Sequence, residues 1–150
     1  MKTEAVYPRN KWARNCRVSN IYLDLLRNKS RLGKLLGRLI GCEINCDIPE
    51  NLVLGHPNGI VVGENVILEK NVMLNHQITL GGKNPYFDGD STDDEYPHLK
   101  EGVYVGAGAR ILGNCVIGEW AIVGANAVVT KDVPANATVV GFNKIVEIRD

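Results

Sequence analysis

A six-residue repeat of aliphatic side chains runs through the second half of the chain. The repeated aliphatic positions are Leu99, Val105, Ile111, Ile117, Val123 and Val129. Four residues after each of them stands a small or β-branched residue, in the series Val103, Ala109, Cys115, Ala121, Ala127 and Val133. The same period occurs earlier in two phases, at Val62, Leu68, Leu74 and Leu80 and at Ile60, Val66, Val72 and Ile78. A period of six is neither the 3.6 of an α-helix nor the 2 of a single strand, so the chain must turn at regular intervals.

Short strands joined by tight corners account for this period, with one flat face for each hexad. Three hexads close a triangular coil, whose aliphatic and small residues point inward and are buried by the next coil. Neighbouring coils then lie about 4.8 Å apart, one strand spacing. Such hexads resemble the left-handed parallel β-helix, an exception to the right-handed crossover rule. A β-sandwich is disfavoured because its strands keep no fixed six-residue phase. We therefore expect an all-β fold, a left-handed parallel β-helix with a short N-terminal helical segment.

The chain divides into three regions on this basis. Residues 1–42 form a basic N-terminal segment, residues 43–141 the β-helix and residues 142–150 a C-terminal tail. The stretch 83–98 interrupts the repeat and carries five acidic residues, which predicts an excursion loop leaving a rigid scaffold.

The first region differs from the rest in charge. Residues 1–42 hold ten Lys or Arg and two acids, whereas the remainder holds seven and fifteen. Residues 19–40 are predicted to be helical, with Ser19 as the N-cap. This basic segment is a candidate for peripheral membrane contact. The net charge of zero does not favour a nucleic-acid partner, and without a signal peptide or an apolar span we expect a cytoplasmic protein.

The three histidines are the first candidates for chemistry. Counting back by sixes puts His56 at the aliphatic phase of Val62, and a break in a local pattern is typical of functional sites. His56 is therefore either a catalytic residue or a hydrogen-bonded edge histidine. His98 ends the excursion, where binding residues are common, although a solvated loop histidine is the alternative. His76 follows His56 by twenty residues and is interpreted as a wall residue.

Metal binding and covalent catalysis are both disfavoured. The histidines are twenty and twenty-two residues apart, so no close pair of zinc ligands exists. The acidic excursion lacks the ordered oxygen-ligand pattern of a calcium site, and no metal is expected. The four cysteines show no paired spacing and are predicted to be reduced thiols. Because Cys115 falls in the inward phase, no cysteine of the repeat is a candidate covalent nucleophile.

Four stretches of the chain resemble a known family, the serine acetyltransferase group of hexapeptide acyltransferases. They are residues 54–63, 72–82, 97–113 and 122–134. Within the group, the short chain, the pair Pro97-His98 and the basic N-terminus are similar to colanic-acid-type polysaccharide acetyltransferases. The resemblance implies an acetyl-CoA-dependent O-acetyltransferase that works as a homotrimer.

The resemblance also implies roles for single residues. His56 matches the catalytic general base, and either Glu43 or Asp47 would orient its imidazole. We assign His98 to positioning and charge stabilisation. The positions that match the CoA channel are Gly82, Lys83, Ala107 and Ala125. Lys131 is expected to meet the phosphates of CoA as a point charge.

Two departures from the serine-specific members affect the expected acceptor. Those enzymes carry an acid where Gly55 stands and Arg-His where Glu95-Tyr96 stands. We therefore expect a glycan or other small-molecule acceptor, namely a sugar hydroxyl in surface polysaccharide biosynthesis. The alternatives are a serine O-acetyltransferase of cysteine biosynthesis and a non-catalytic β-helix scaffold.

Overall fold

Three stacks of short parallel strands form the body of the protein in a computed structural model. The structure describes residues 17–83 and 96–148. The centre of the predicted excursion, residues 84–95, lies outside this range, as does the first part of the basic segment.

Each stack is one face of a triangular coil. The five-stranded face consists of β1 (Cys42–Ile44), β3 (Ile60–Val62), β6 (Thr79–Gly81), β9 (Arg110–Leu112) and β12 (Val128–Val129). The three-stranded face consists of β4 (Ile67–Leu68), β7 (His98–Leu99) and β10 (Val116–Ile117). The six-stranded face consists of β2 (Val53–Leu54), β5 (Met73–Leu74), β8 (Tyr104–Val105), β11 (Ile122–Val123), β13 (Ala137–Val140) and β14 (Lys144–Ile148). The last strand, β14, runs antiparallel to β13.

The repeat sets the core of this coil, as the sequence predicts. Ile117 lies beside Leu99, and Val123 beside Val105, each eighteen residues on. The aliphatic and small positions of the second array are buried, and the most exposed of them, Val133, shows only 3% of its surface. A parallel β-helix of hexapeptide repeats is thereby confirmed, and its left-handed winding stays a prediction.

Left-handed backbone turns allow the coil to change face. At the edge between the six-stranded and five-stranded faces, four consecutive coils use a residue with φ between 57° and 74°, namely Gly59, Gln77, Gly108 and Asn126. Glycine, and less readily asparagine, tolerates this conformation. Gln77 adopts it because the coils above and below hold its backbone, with the N–H of Gln77 donating to the Asn58 carbonyl at 2.8 Å.

Two helices precede the first coil, where the sequence predicts one. They are α1 (Arg17–Arg27) and α2 (Arg31–Ile40), and the prediction of a single helix is wrong because Ser30 starts a new one. The Ser30 hydroxyl accepts a hydrogen bond from the Leu32 N–H at 3.2 Å. Ser19, the predicted cap, is instead buried within α1. Neither helix is long and apolar enough to cross a membrane, a finding that covers the described residues.

The helices attach to the first coil through a buried tyrosine. The hydroxyl of Tyr22 donates to the Cys42 carbonyl at 2.6 Å, and burial raises the pKa of this phenol. Gly37 permits the approach, since a β-carbon there would lie 2.8 Å from the Tyr22 hydroxyl oxygen.

Two glycines test how tightly the coils are stacked. A β-carbon at Gly118 would lie 2.7 Å from Cα of Ala135, whereas one at Gly81 would meet nothing within 4 Å. We expect Gly118→Ala to lower the free energy of unfolding by about 1–3 kcal/mol, because backbone atoms must shift. The matched control, Gly81→Ala, should change it by no more than about 0.5 kcal/mol. Denaturant unfolding of both variants measures this, and equal losses would contradict the stacking described here.

Candidate active site

The corner that carries His56 is two residues longer than its counterpart in the next coil. Leu54 pairs with Leu74 and Val62 with Leu80, so eight steps along the first coil match six along the second. The prediction that His56 occupies the inward aliphatic phase is therefore wrong. Leu54 takes that place and is fully buried, while His56 lies two residues later and is exposed at the edge.

Four predicted site or wall residues form one straight column at this edge. Strands β2, β5, β8 and β11 are in register, so the residues two positions after them stack on successive coils. These residues are His56, His76, Ala107 and Ala125, and we call their column the histidine edge. Backbone hydrogen bonds fix the stacking of the last three, with the Gly108 N–H donating to the His76 carbonyl at 3.0 Å and the Asn126 N–H to the Ala107 carbonyl at 2.8 Å. His56 joins the column through its ring, which contacts that of His76. Three steps of one strand spacing separate His56 from Ala125, or about 14 Å.

The ring of His56 packs against that of His76. The two ring centroids are 5.8 Å apart and the planes are inclined by 69°, an edge-to-face arrangement. Within the described chain, His56 forms no side-chain hydrogen bond. Nδ1 of His76 is buried and has no hydrogen-bond partner among the described residues.

Neither predicted orienting carboxylate reaches His56. Glu43 and Asp47 are both exposed, and no hydrogen bond or ion pair links either of them to His56 in the part of the chain described. Glu43 lies in β1 beside Val61, on the strand that starts near the histidine edge. Asp47 follows the far end of β1. Within one chain, the register thus places Glu43 nearer than Asp47 to the histidine edge. Which of the two carboxylates orients the His56 imidazole stays a prediction.

The remaining predicted CoA-channel residues lie on another edge. Gly81 pairs with Leu112 and Val129 with Ile111, so Gly82 and Lys131 both stack with Gly113 where the five-stranded face meets the three-stranded face. The side chain of Lys83 packs on Gly113, its Cβ 3.0 Å from where a glycine β-carbon would lie. We call this column the lysine edge. One chain therefore holds the predicted CoA residues on two edges, separated by the five-stranded face.

His98 belongs to a polar cluster on the three-stranded face, apart from the histidine edge. One carboxylate oxygen of Glu69 lies 3.0 Å from Nε2 of His98 and 3.0 Å from Nζ of Lys100, and the other accepts from the Glu101 N–H at 3.0 Å. The hydrogen bond from Lys100, helped by those from His98 and Glu101, holds the pKa of Glu69 below its ordinary value of 4.5. A single chain does not bring His98 and His56 together, so a shared role for them stays a prediction.

No local pattern in the sequence singles out Glu69. Its partners lie 29 to 32 residues away, one coil plus the excursion. The strand pairing of Ile67 with His98 would have revealed it, because this register places Glu69 beside Lys100.

No described cysteine offers a nucleophile at either edge. Burial raises the pKa of the Cys115 thiol to about 11 and that of Cys46 to about 12. The thiolate is the reactive form, so these thiols are inert near neutral pH. Across the described ranges, His, Cys, Asp and Glu side chains form no group of three or more that could hold a metal ion.

The Glu69 cluster predicts how stability depends on pH. A carboxyl whose pKa is lowered on folding stabilises the protein above its unfolded value of about 4.5, and this contribution is lost as pH falls through the lower folded value. We expect Glu69→Gln to unfold at a lower temperature than wild type at pH 7 and to lose less stability between pH 5 and 3. Melting temperatures over that range measure the difference, with the exposed Glu119→Gln as control. Parallel curves for Glu69→Gln and wild type would contradict a lowered pKa.

Comparisons with known proteins agree with the repeat and with one branch of the resemblance. Residues 96–131 match the family model of the bacterial transferase hexapeptide (six repeats). The serine acetyltransferase of Buchnera aphidicola from Acyrthosiphon pisum is 43% identical over 94 residues, which are 63% of this chain and 33% of that protein. Two solved structures are similar. The serine acetyltransferase of Neisseria gonorrhoeae has a TM-score of 0.70 at 35% identity, covering 86% of this chain and 52% of that one. The Brucella abortus enzyme, solved in complex with coenzyme A, has a TM-score of 0.70 at 32% identity, covering 87% and 54%.

These matches bear on the acceptor and on the extent of the likeness. The chain spans about a third of the length of the curated relatives it matches and about half of the solved chains. The predicted closeness to polysaccharide acetyltransferases is not supported, because these relatives are serine acetyltransferases, and peripheral membrane contact finds no support either. The chain thus carries the bacterial transferase hexapeptide repeat and, over its β-helix, is similar to serine acetyltransferases.

Proposed function

We propose that this protein transfers the acetyl group of acetyl-CoA to the hydroxyl of L-serine, with His56 as general base. The observation that carries the proposal is the histidine edge, where the exposed imidazole of His56 stands in line with Ala107 and Ala125. Two small side chains on successive coils leave a straight groove, which suits an extended pantetheine arm. The names of the similar proteins support both the donor and serine as acceptor.

The chemistry needs a base more than a nucleophile on the protein. His56 takes the proton from the acceptor hydroxyl as its oxygen bonds to the acetyl carbonyl carbon. The carbon–sulfur bond then breaks, and the proton passes from His56 to the departing CoA thiolate. Such general base catalysis contributes typically 10²–10⁴-fold. A backbone N–H at the edge would stabilise the negative charge on the carbonyl oxygen.

A sugar hydroxyl is the second candidate acceptor, favoured by the packing at Gly55. A β-carbon at Gly55 would lie 2.5 Å from Oδ1 of Asn75. The Asn75 amide is itself held, since its Nδ2 donates to the Val105 carbonyl at 2.8 Å. An acidic side chain before His56 therefore has no room unless Asn75 moves. If serine is the acceptor, a carboxylate elsewhere must bind its ammonium group.

We infer that the β-helix winds left-handed and that a three-fold assembly of chains completes the donor site. The predicted CoA residues of one chain lie on two edges, and the five-stranded face between them is up to about 20 Å wide. In a ring of three copies, the histidine edge of one protomer can face the lysine edge of the next. Ala107 and Ala125 would then line one side of the groove, and Lys83 and Lys131 would meet the CoA phosphates from the other.

Replacing His56 tests the proposed base. His56→Ala should lower kcat for acetyl transfer to L-serine by at least about 10²-fold, because the hydroxyl keeps its proton. Isothermal titration should show unchanged CoA affinity. Each enzyme is also assayed with nucleotide sugars and glycans, which identifies the better acceptor. Activity of the variant within threefold of wild type would remove His56 from the mechanism, and a wild type that acetylates no acceptor would favour a scaffold.

The proposed three-fold assembly is tested by measuring the mass of the particle. Light scattering should give a particle of three times the chain mass of 16.4 kDa. Lys131→Glu should weaken CoA binding, because the substitution reverses one charge near the phosphates. The mass of the particle should not change, since Lys131 is exposed. A monomer with full activity would contradict the assembly.

A further inference from the structure

His76 occupies the step of the histidine edge between the proposed base and the proposed donor groove. His56 precedes it by one coil, and Ala107 and Ala125 follow it. The two coils that follow use alanine at this position, so stacking alone does not require a large side chain. An imidazole at this step needs a reason beyond the fold.

The ring contact supplies one reason. His56 is exposed, and within the described chain its side chain makes no hydrogen bond that would hold it. Among the described residues, the edge-to-face packing at 5.8 Å is an interaction that limits its orientation. The widened corner contributes freedom of its own, since two extra residues lengthen the loop that carries His56. A general base must lie within hydrogen-bond reach of its proton, so free rotation would lower the productive fraction.

Burial and backbone hydrogen bonds hold His76 in place at this step. Nδ1 of His76 is inaccessible to solvent and has no hydrogen-bond partner in the described residues. An unpaired buried polar atom is unfavourable, and an apolar residue of similar size would avoid the cost. His76 is also rigidly placed, because its carbonyl accepts from Gly108 and the next residue holds a φ of 57°.

We propose that His76 is a positioning residue, whose ring holds the His56 imidazole in the orientation that faces the acceptor hydroxyl beside the groove. The proposal rests on the proposed role of His56 as the base. His76 touches neither reacting atom, and it acts through the His56 ring.

Three variants test this role in the full chain. His76→Ala should lower kcat about tenfold or more while leaving the KM for acetyl-CoA within twofold, because misplacement of a catalytic group by 1 Å can cost up to about 10²-fold. His76→Phe keeps a ring of similar shape and should recover activity to within threefold of wild type. Combined with His56→Ala, the change His76→Ala should have no further effect, since the group it positions is gone. Glu119→Gln, on the remaining edge, is the control for activity.

The contact has a readout that does not depend on turnover. In NMR spectra, the ring protons of His56 should shift when His76→Ala removes the neighbouring ring, and less so in His76→Phe. A wild type without acetyl transfer to serine would refute the proposed function, yet this shift would still report the contact. Unshifted His56 signals, a kcat for His76→Ala within twofold of wild type, a failure of phenylalanine to recover activity, or equal losses with and without His56 would each overturn the proposal.

Discussion

The backbone register between stacked coils is the constraint on which the rest of the structure depends. Each strand is only two to five residues long, so no strand is stable alone. Stability comes from the parallel hydrogen bonds to the coils above and below and from the aliphatic columns they bury. A shift of one residue would turn every inward side chain to solvent. Outward positions on the paired strands therefore form straight columns, and the columns at the edges carry the candidate chemistry.

The same constraint explains which parts of the fold the sequence predicts. Ile111 and Val129 are inward by period alone, and both are fully buried. Counting by sixes fails where the coil length changes, as it does between Leu54 and Val62. The count therefore places His56 at an inward position, whereas the residue lies at the exposed edge. Period counting also cannot cross the excursion. The contact of Glu69 with His98 depends on how many residues leave the coil and where they return, which no local pattern states.

The helices show a different limit. Residues 19–40 have the apolar spacing of one continuous helix, and Ser30 sits in the middle as an ordinary polar residue. Only the tertiary structure shows that its hydroxyl caps α2 and that Lys29 turns the chain with a φ of 49°. Gly33 and Gly37, which weaken a helix, are buried contact points where α2 approaches its neighbours. Their effect on packing outweighs their low helix propensity, and propensity alone cannot reveal it.

A rigid edge is well suited to the proposed direct transfer between two bound substrates. The thiols of the described chain are buried, with the pKa of Cys115 raised to about 11, so none of them is suited to be the nucleophile of an acyl-enzyme. In the proposed reaction, base and thioester must be held together long enough for one displacement, and such pre-organisation lowers the barrier. Stacked coils hold backbone atoms well but leave an exposed side chain such as His56 free to rotate. A neighbouring side chain one coil away is the simplest means of restricting it, and at this edge that neighbour is His76.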